Sequence, residues 1–370
     1  MPHPRPRAFA AALAVLAAWA APAPADDATQ LTLPSGFAIA KFAGGFGSPR
    51  FMTFDPGGTL VVSVPRAGRI VALPDRDGDG RADGVVPVAD GLDLPHGLAF
   101  RDGRLWVAET GRVRHFRYDP AARRASEPVA AVARLPSRGG HWTRTLAFGP
   151  DGRLYVSVGS SCNLCREADP RRAAIVRYNA DGSGETLFAT GLRNAVGLAF
   201  HPTTGVLWAT VNERDWRGDD LPPDLITDVT EGAFYGWPDC FTAHRAAVPD
   251  REARGSAERC RAVTLPALEI QAHSAPLGLA FYTGALFPPA YRGSLFVAYH
   301  GSWNRSRPTG YKVVRVPFRD GRPAGPVEDF VTGWLAWDRA WDRPVDVAVA
   351  ADGALFLSTD DAIWRITYRP

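Results

Sequence analysis

The segment Pro136-Ser-Arg-Gly-Gly-His141 delivers a histidine from a glycine-rich loop, and an imidazole with an ordinary pKa near ~6.5 suits proton abstraction at neutral pH. A histidine bonded to a neighbouring loop would read the same way, so position alone leaves both open. Gly191-Leu-Arg193-Asn194 then sets an arginine beside an asparagine, a pair able to polarise a carbonyl or hold a carboxylate. An unusual stretch follows, from Asn212-Glu213-Arg214 through Asp219-Asp220 to Asp224, with Tyr235-Gly-Trp-Pro238 after it. His273 and the run His300-Gly-Ser-Trp303-Asn304-Arg305 come later. Trp303 offers a flat apolar face to a sugar ring, or packs a loop. Asp75, Asp77 and Asp79 have the spacing of a calcium loop, but Val86 stands where the closing Glu belongs. A calcium staple and a plain β-turn are equally open there.

Six repeats must position these groups. Each is an apolar strand, a turn and a second apolar strand, as in Thr145-Leu-Ala-Phe148-Gly-Pro-Asp-Gly with Leu154-Tyr-Val-Ser157. Anchored on Phe54, Phe100, Phe148, Phe200, Phe281 and Val349, the spacings are 46, 48, 52, 81 and 68 residues. Repeats of roughly 40–50 residues built from short strands and glycine turns predict an all-β, six-bladed β-propeller. In such a disc the loop before each inner strand and the loop after its partner surround one mouth of the central channel. Those loops carry Arg50, His96, His141, Arg144, Arg193, Asn194, Glu213, Arg214, His300, Arg305 and Arg343. A ring of cations predicts an anionic ligand. The aromatic stripe Trp106, Tyr155, Trp208 and Phe296 reads as inter-blade core.

The two ends carry separate expectations. Residues 1–25 read as a secretory signal, with Arg5 and Arg7, an apolar run from Ala8 to Ala21, and Ala23-Pro24-Ala25 before the expected cleavage. Residues 26–370 then form one exported propeller domain, periplasmic or secreted, with no membrane insertion. The chain carries 42 Lys and Arg against 39 Asp and Glu, a net charge of +3. That balance gives no reason to expect nucleic acid as a partner. Cys162, Cys165, Cys240 and Cys260 favour two local disulfides, Cys162–Cys165 and Cys240–Cys260, over a zinc site that lacks the ligand spacing. The last blade is one strand short, and Leu31–Phe42 supplies it from the other end of the chain.

Taken in order, the histidine after a glycine-rich loop, Arg193-Asn194 before Gly-Leu-Ala-Phe, the acidic loop, Tyr-Gly-Trp-Pro and Gly278-Leu-Ala-Phe-Tyr282 resemble the soluble quinoprotein sugar dehydrogenases. The likeness is strongest to the sorbosone dehydrogenase branch and covers about residues 31–370. It implies pyrroloquinoline quinone (PQQ) at the channel mouth with a calcium ion, and oxidation of an aldose or sugar aldehyde. His141 matches the base that takes the hydroxyl proton. Arg193 and Asn194 match PQQ contacts, with Arg193 polarising the quinone oxygen. Glu213 and Arg214 match the loop whose backbone carbonyls hold the calcium. Arg305, Lys312 and Arg343 match cations facing the cofactor, while His96, His273 and Trp303 are candidates to shape the substrate pocket. Electrons would pass to an external acceptor, a cytochrome or a quinone. Two departures stand out: Gly140 replaces an acid of the glucose-oxidising branch, and Glu213-Arg214 replaces a Gly-Pro. A calcium-dependent lactonase on six blades and a non-catalytic binding propeller are the rival readings.

Overall fold

The computed structural model describes residues 27–370 apart from Ala133, so the expected signal segment lies outside the described residues. Six four-stranded antiparallel sheets follow one another along the chain as the blades of a ring. Their inner strands are Met52–Phe54, Leu98–Arg101, Leu146–Phe148, Ala195–Phe200, Pro276–Phe281 and Pro344–Val349. The long 81-residue spacing arises because blade four reaches its outermost strand, Leu268–Ile270, only after an added hairpin and the short helix Ala257–Cys260. The Cys240–Cys260 disulfide ties that hairpin to that helix, and Cys162–Cys165 closes a tight loop after blade three's second strand. Among the described residues no helix is long and apolar enough to cross a membrane.

Alternation along each strand buries side chains between blades rather than within them. Trp106 meets Phe148 at 5.0 Å, Tyr155 meets Phe200 at 5.1 Å, and Trp208 packs on Phe318 at 4.9 Å, each ring crossing to the next blade. Phe296 is fully buried in the same way. Truncating one such ring to alanine costs about 3–5 kcal/mol in a packed core. The glycine that opens the inner-strand repeat has a steric cause near the axis. A Cβ on Gly278 would lie 2.6 Å from the Cα of Asp346 in the next blade.

Ring closure joins the two ends. Phe37–Gly44 pairs antiparallel with Ala362–Tyr368, Ile39 standing opposite Ile366, and becomes the fourth strand of blade six. Phe37 holds that strand in place against Phe287, Phe330 and Tyr368, with centroids at 4.8, 5.0 and 4.9 Å. The segment before it adds a reciprocal backbone pair between Thr32 and Thr332. Closer to the axis, the Met52 amide donates to Asp346 Oδ2 at 2.8 Å and ties blade one to blade six.

Candidate active site

His141 stands on a loop braced from beneath by two buried arginines. Arg144 donates to the carbonyls of His141 at 3.0 Å, Thr143 at 2.6 Å and Pro136 at 2.5 Å. Arg172 donates to Gly159 O at 3.1 Å and to Arg138 O. Burial, with Arg172 as the next cause, brings Arg144 down to about 9. The imidazole Nδ1 lies 2.9 Å from Ser160 O and 3.0 Å from Ser160 Oγ. A carbonyl only accepts, and the Ser160 hydroxyl gives its own proton to Cys162 O at 2.7 Å. Nδ1 therefore carries the hydrogen, and Nε2 keeps a lone pair on a ring that lines a cavity of about 150 Å³. Burial, reinforced by the charge of Arg193, pushes His141 down to about 4, so it is neutral at pH 7. Gly159 makes room for this arrangement, since a Cβ there would sit 2.7 Å from His141 Cβ and 2.4 Å from Asn194 Oδ1.

Arg193 lines the same cavity and is fixed on both sides. Its Nη1 donates to the carbonyls of Asn212 at 3.1 Å and Glu213 at 2.7 Å. Its Nε and Nη2 donate to Asn163 O at 3.1 Å and Asn163 Oδ1 at 3.0 Å. Asn163 also accepts from the Asp215 amide at 2.8 Å and donates to Asp215 O at 3.0 Å. Sequence reasoning missed Asn163; its only signal was its place between Cys162 and Cys165. The carbonyls of Asn212 and Glu213 thus converge on this guanidinium. Arg214 turns away to Asp250 and Glu252, each at 2.7 Å.

Carboxylates gather on this side. Glu213, Asp215 and Asp224 line the cavity with His273 and Asn304. Burial pushes Glu213 up to about 8 and Asp224 to about 6. Glu213 Oε2 and Asn194 Oδ1 are buried without a partner. Unpaired carboxylate and amide oxygens are hard donors of the kind calcium takes, and the carbonyls of Asn212 and Glu213 keep a second lone pair beyond the one given to Arg193, so the donor set fits that ion. His273 donates from Nε2 to Gly218 O at 2.8 Å, and its pairing with Asp215 raises its pKa.

A second cavity of about 300 Å³ lies alongside, lined by Arg50, Arg66, Arg343, His300, Trp142 and Asp360. The neighbours His141 and Trp142 face one cavity each, as do Trp303 and His300 within one loop. Arg343 donates to His300 O at 3.0 Å and Gly301 O at 2.5 Å, while Arg50 pairs with Asp360 at 2.6 Å and keeps a buried, unpartnered Nε. Three guanidinium groups against one carboxylate suit a polycarboxylate such as PQQ. The mouth is thus divided into a cationic half and an acidic half, not ringed by cations. Arginines prevail in one half because blades one and six supply Arg50, Arg66 and Arg343, and carboxylates prevail in the other because blade four supplies Glu213, Asp215 and Asp224 around Arg193.

Other expected residues lie elsewhere. Arg305 reaches across to Asp219 O at 3.0 Å and Asp220 Oδ1 at 2.8 Å, which makes it a tie between loops. Lys312 is paired with Asp329 at 2.5 Å on the outer strands of blade five and lines neither cavity. His96 is buried against Phe51 at 4.1 Å and Trp142 at 5.5 Å, and burial holds it neutral at about 3. Asp75, Asp77 and Asp79 lie together between the outer strands of blade one, where they accept the amides of Gly78, Gly80, Asp79 and Arg81. Trp303 does line the His141 cavity.

A six-bladed propeller with a neutral histidine, a fixed arginine and a cationic pocket at one channel mouth is the class of protein that fold and site define. The chain belongs to the TrAA12-like family, whose model matches residues 31–367. It is 27% identical to a pyrroloquinoline quinone-dependent pyranose dehydrogenase of Coprinopsis cinerea, over 90% of this chain and 53% of that one, so it spans about half of that relative's length. A pyrroloquinoline quinone-dependent sugar dehydrogenase of Hypocrea jecorina is 26% identical over 81% of this chain and 79% of its own. The fold superposes on the holo form of the Coprinopsis PQQ domain with a TM-score of 0.80 at 24% identity, covering 91% of this chain and 97% of that one. It superposes on the calcium structure of a Trichoderma reesei AA12 enzyme with a TM-score of 0.81 at 23% identity, covering 92% and 97%.

Proposed function

We propose that this protein is an exported PQQ-dependent dehydrogenase that oxidises an aldose or sugar aldehyde, of the glucose or sorbosone kind, and passes electrons to an external cytochrome or quinone. The observation that carries the reading is the neutral His141, its Nδ1–H committed to Ser160 O and its Nε2 left to accept a proton beside Arg193. When bound, PQQ supplies a quinone that accepts hydride, and calcium supplies positive charge beside it. Arg50, Arg66 and Arg343 hold the cofactor's carboxylates through charge-assisted bonds. The carbonyls of Asn212 and Glu213, with Asn194 Oδ1 and the Glu213 carboxylate, hold the ion. His141 Nε2 takes the substrate hydroxyl proton, and Arg193 steadies negative charge as it develops.

Reconstitution tests this directly. Apoprotein given PQQ and Ca²⁺ together should gain several degrees in Tm and reduce a dye in the presence of sugar, whereas either component alone should fall short. The same carboxylates, Glu213, Asp215 and Asp224, would serve the rival calcium-dependent hydrolase. Lactone hydrolysis with calcium alone and no response to PQQ would favour that rival and overturn the dehydrogenase.

A further inference from the structure

Two loops from neighbouring blades form the rim over the His141 cavity. Residues 212–223 leave the second strand of blade four, and residues 300–311 leave that of blade five. Trp216 and Trp303, one from each loop, meet edge to face with centroids 5.1 Å apart and planes at 89°. They are 67% and 65% exposed, in a molecule whose other tryptophans, Trp337 apart, are largely withdrawn from water among the described residues.

The pair is held in place and is not adrift. Trp216 has φ +66°, in the left-handed region that bulky residues avoid. The loop bearing it is clasped on both sides. Arg305 binds Asp219 O and the Asp220 carboxylate, the Ser306 amide donates to Asp219 Oδ1 at 3.0 Å, and His273 donates to Gly218 O at 2.8 Å. Beside Trp303, the side-chain amide of Asn304 has both its nitrogen and its oxygen buried and unpartnered, in the cavity that holds His141. An amide with a free donor and a free acceptor matches a pair of vicinal hydroxyls. A tryptophan face matches the C–H face of a pyranose.

We propose that Trp216, Trp303 and Asn304 form a saccharide subsite on the rim, which binds the unit adjoining the sugar whose hydroxyl faces His141. The preferred substrate is then the end of a glycoside or oligosaccharide, not a free monosaccharide. The identity of the reacting position rests on the dehydrogenase reading; the rim subsite does not.

Two measurements separate them. Apoprotein is titrated calorimetrically with glucose and with the disaccharides cellobiose, maltose and lactose, and PQQ- and calcium-loaded enzyme is assayed on the same sugars. At least one disaccharide should bind the apoprotein more tightly than glucose. In W216A, whose side chain is exposed, KM for that disaccharide should rise about five- to tenfold, the loss of roughly one aromatic contact, against less than twofold for glucose. N304A should weaken the same binding, and W337A, far more exposed and lining neither cavity, should leave it as it was. Disaccharide binding that is lost in W216A, without any PQQ-dependent oxidation, keeps the subsite and removes the dehydrogenase reading. Equal affinity for glucose and every disaccharide, or equal losses for both in W216A, overturns the subsite.

Discussion

At the scale of single residues, His141, His96 and His300 each set Nδ1 against a backbone carbonyl, so the difference between a base and a bystander lies in what surrounds the rest of the ring. His141, His96 and His300 all stand at the mouth, and all three are held neutral by burial. His96 is wedged between two aromatic rings. His300 gives Nδ1 to Pro344 O and faces Asp360 at 3.9 Å among the arginines. Of these three, His141 alone shares its cavity with Arg193, Asn194 and the acids. H141A should therefore lower kcat by ~10²–10⁴-fold while PQQ binding, followed by fluorescence titration, persists. Turnover within a few-fold of the parent would exclude His141 from the reaction. The lowered pKa makes a second demand. The neutral form persists down to about pH 4, so the acid limb of kcat/KM should fall near there and not near ~6.5.

At the scale of elements, short covalent and strand-pairing devices do the positioning. The Cys162–Cys165 loop presents Asn163, whose Oδ1 accepts from both Arg193 and the Asp215 amide, so a disulfide far from the chain's ends shapes the mouth. The closing strand Phe37–Gly44 covers the open edge of Ala362–Tyr368. Deleting residues 26–44 should leave that edge bare and strip Phe37 from its aromatic neighbours. Light scattering and thermal melting should then report aggregation or a markedly lower Tm. A monomeric product with the parent's Tm would refute closure by this strand. The expectation that Leu31–Phe42 supplies the strand was right in its source and early by a few residues, because Thr32 is used instead in a bridge to Thr332.

At the scale of the whole molecule, the ring is fastened at the axis by Asp346, which burial raises to about 7. Its unfolded counterpart ionises near ~4, so as pH rises from 4 to 7 the unfolded chain releases a proton that the fold retains, and stability falls. D346N keeps the acceptor for Met52 N without titrating. Its stability advantage over the parent, followed by denaturant melts, should grow between pH 4 and pH 7, toward a few kcal/mol at ~1.4 kcal/mol per pKa unit. A pH-independent difference would show that Asp346 is ionised throughout. The sequence by itself determined the six repeats, their inter-blade aromatics, the local cysteine pairs and the His141, Arg193 and Asn194 constellation, because strand periodicity, turn chemistry and loop position are local properties of a chain. Tertiary structure alone decided that Arg305 and Lys312 are spent on Asp220 and Asp329, that Arg50 and Arg343 share a pocket, and that Asn163 anchors Arg193. Those facts depend on which carboxylate or carbonyl a long cationic side chain meets across blades, and such partners lie up to 310 residues apart in the chain.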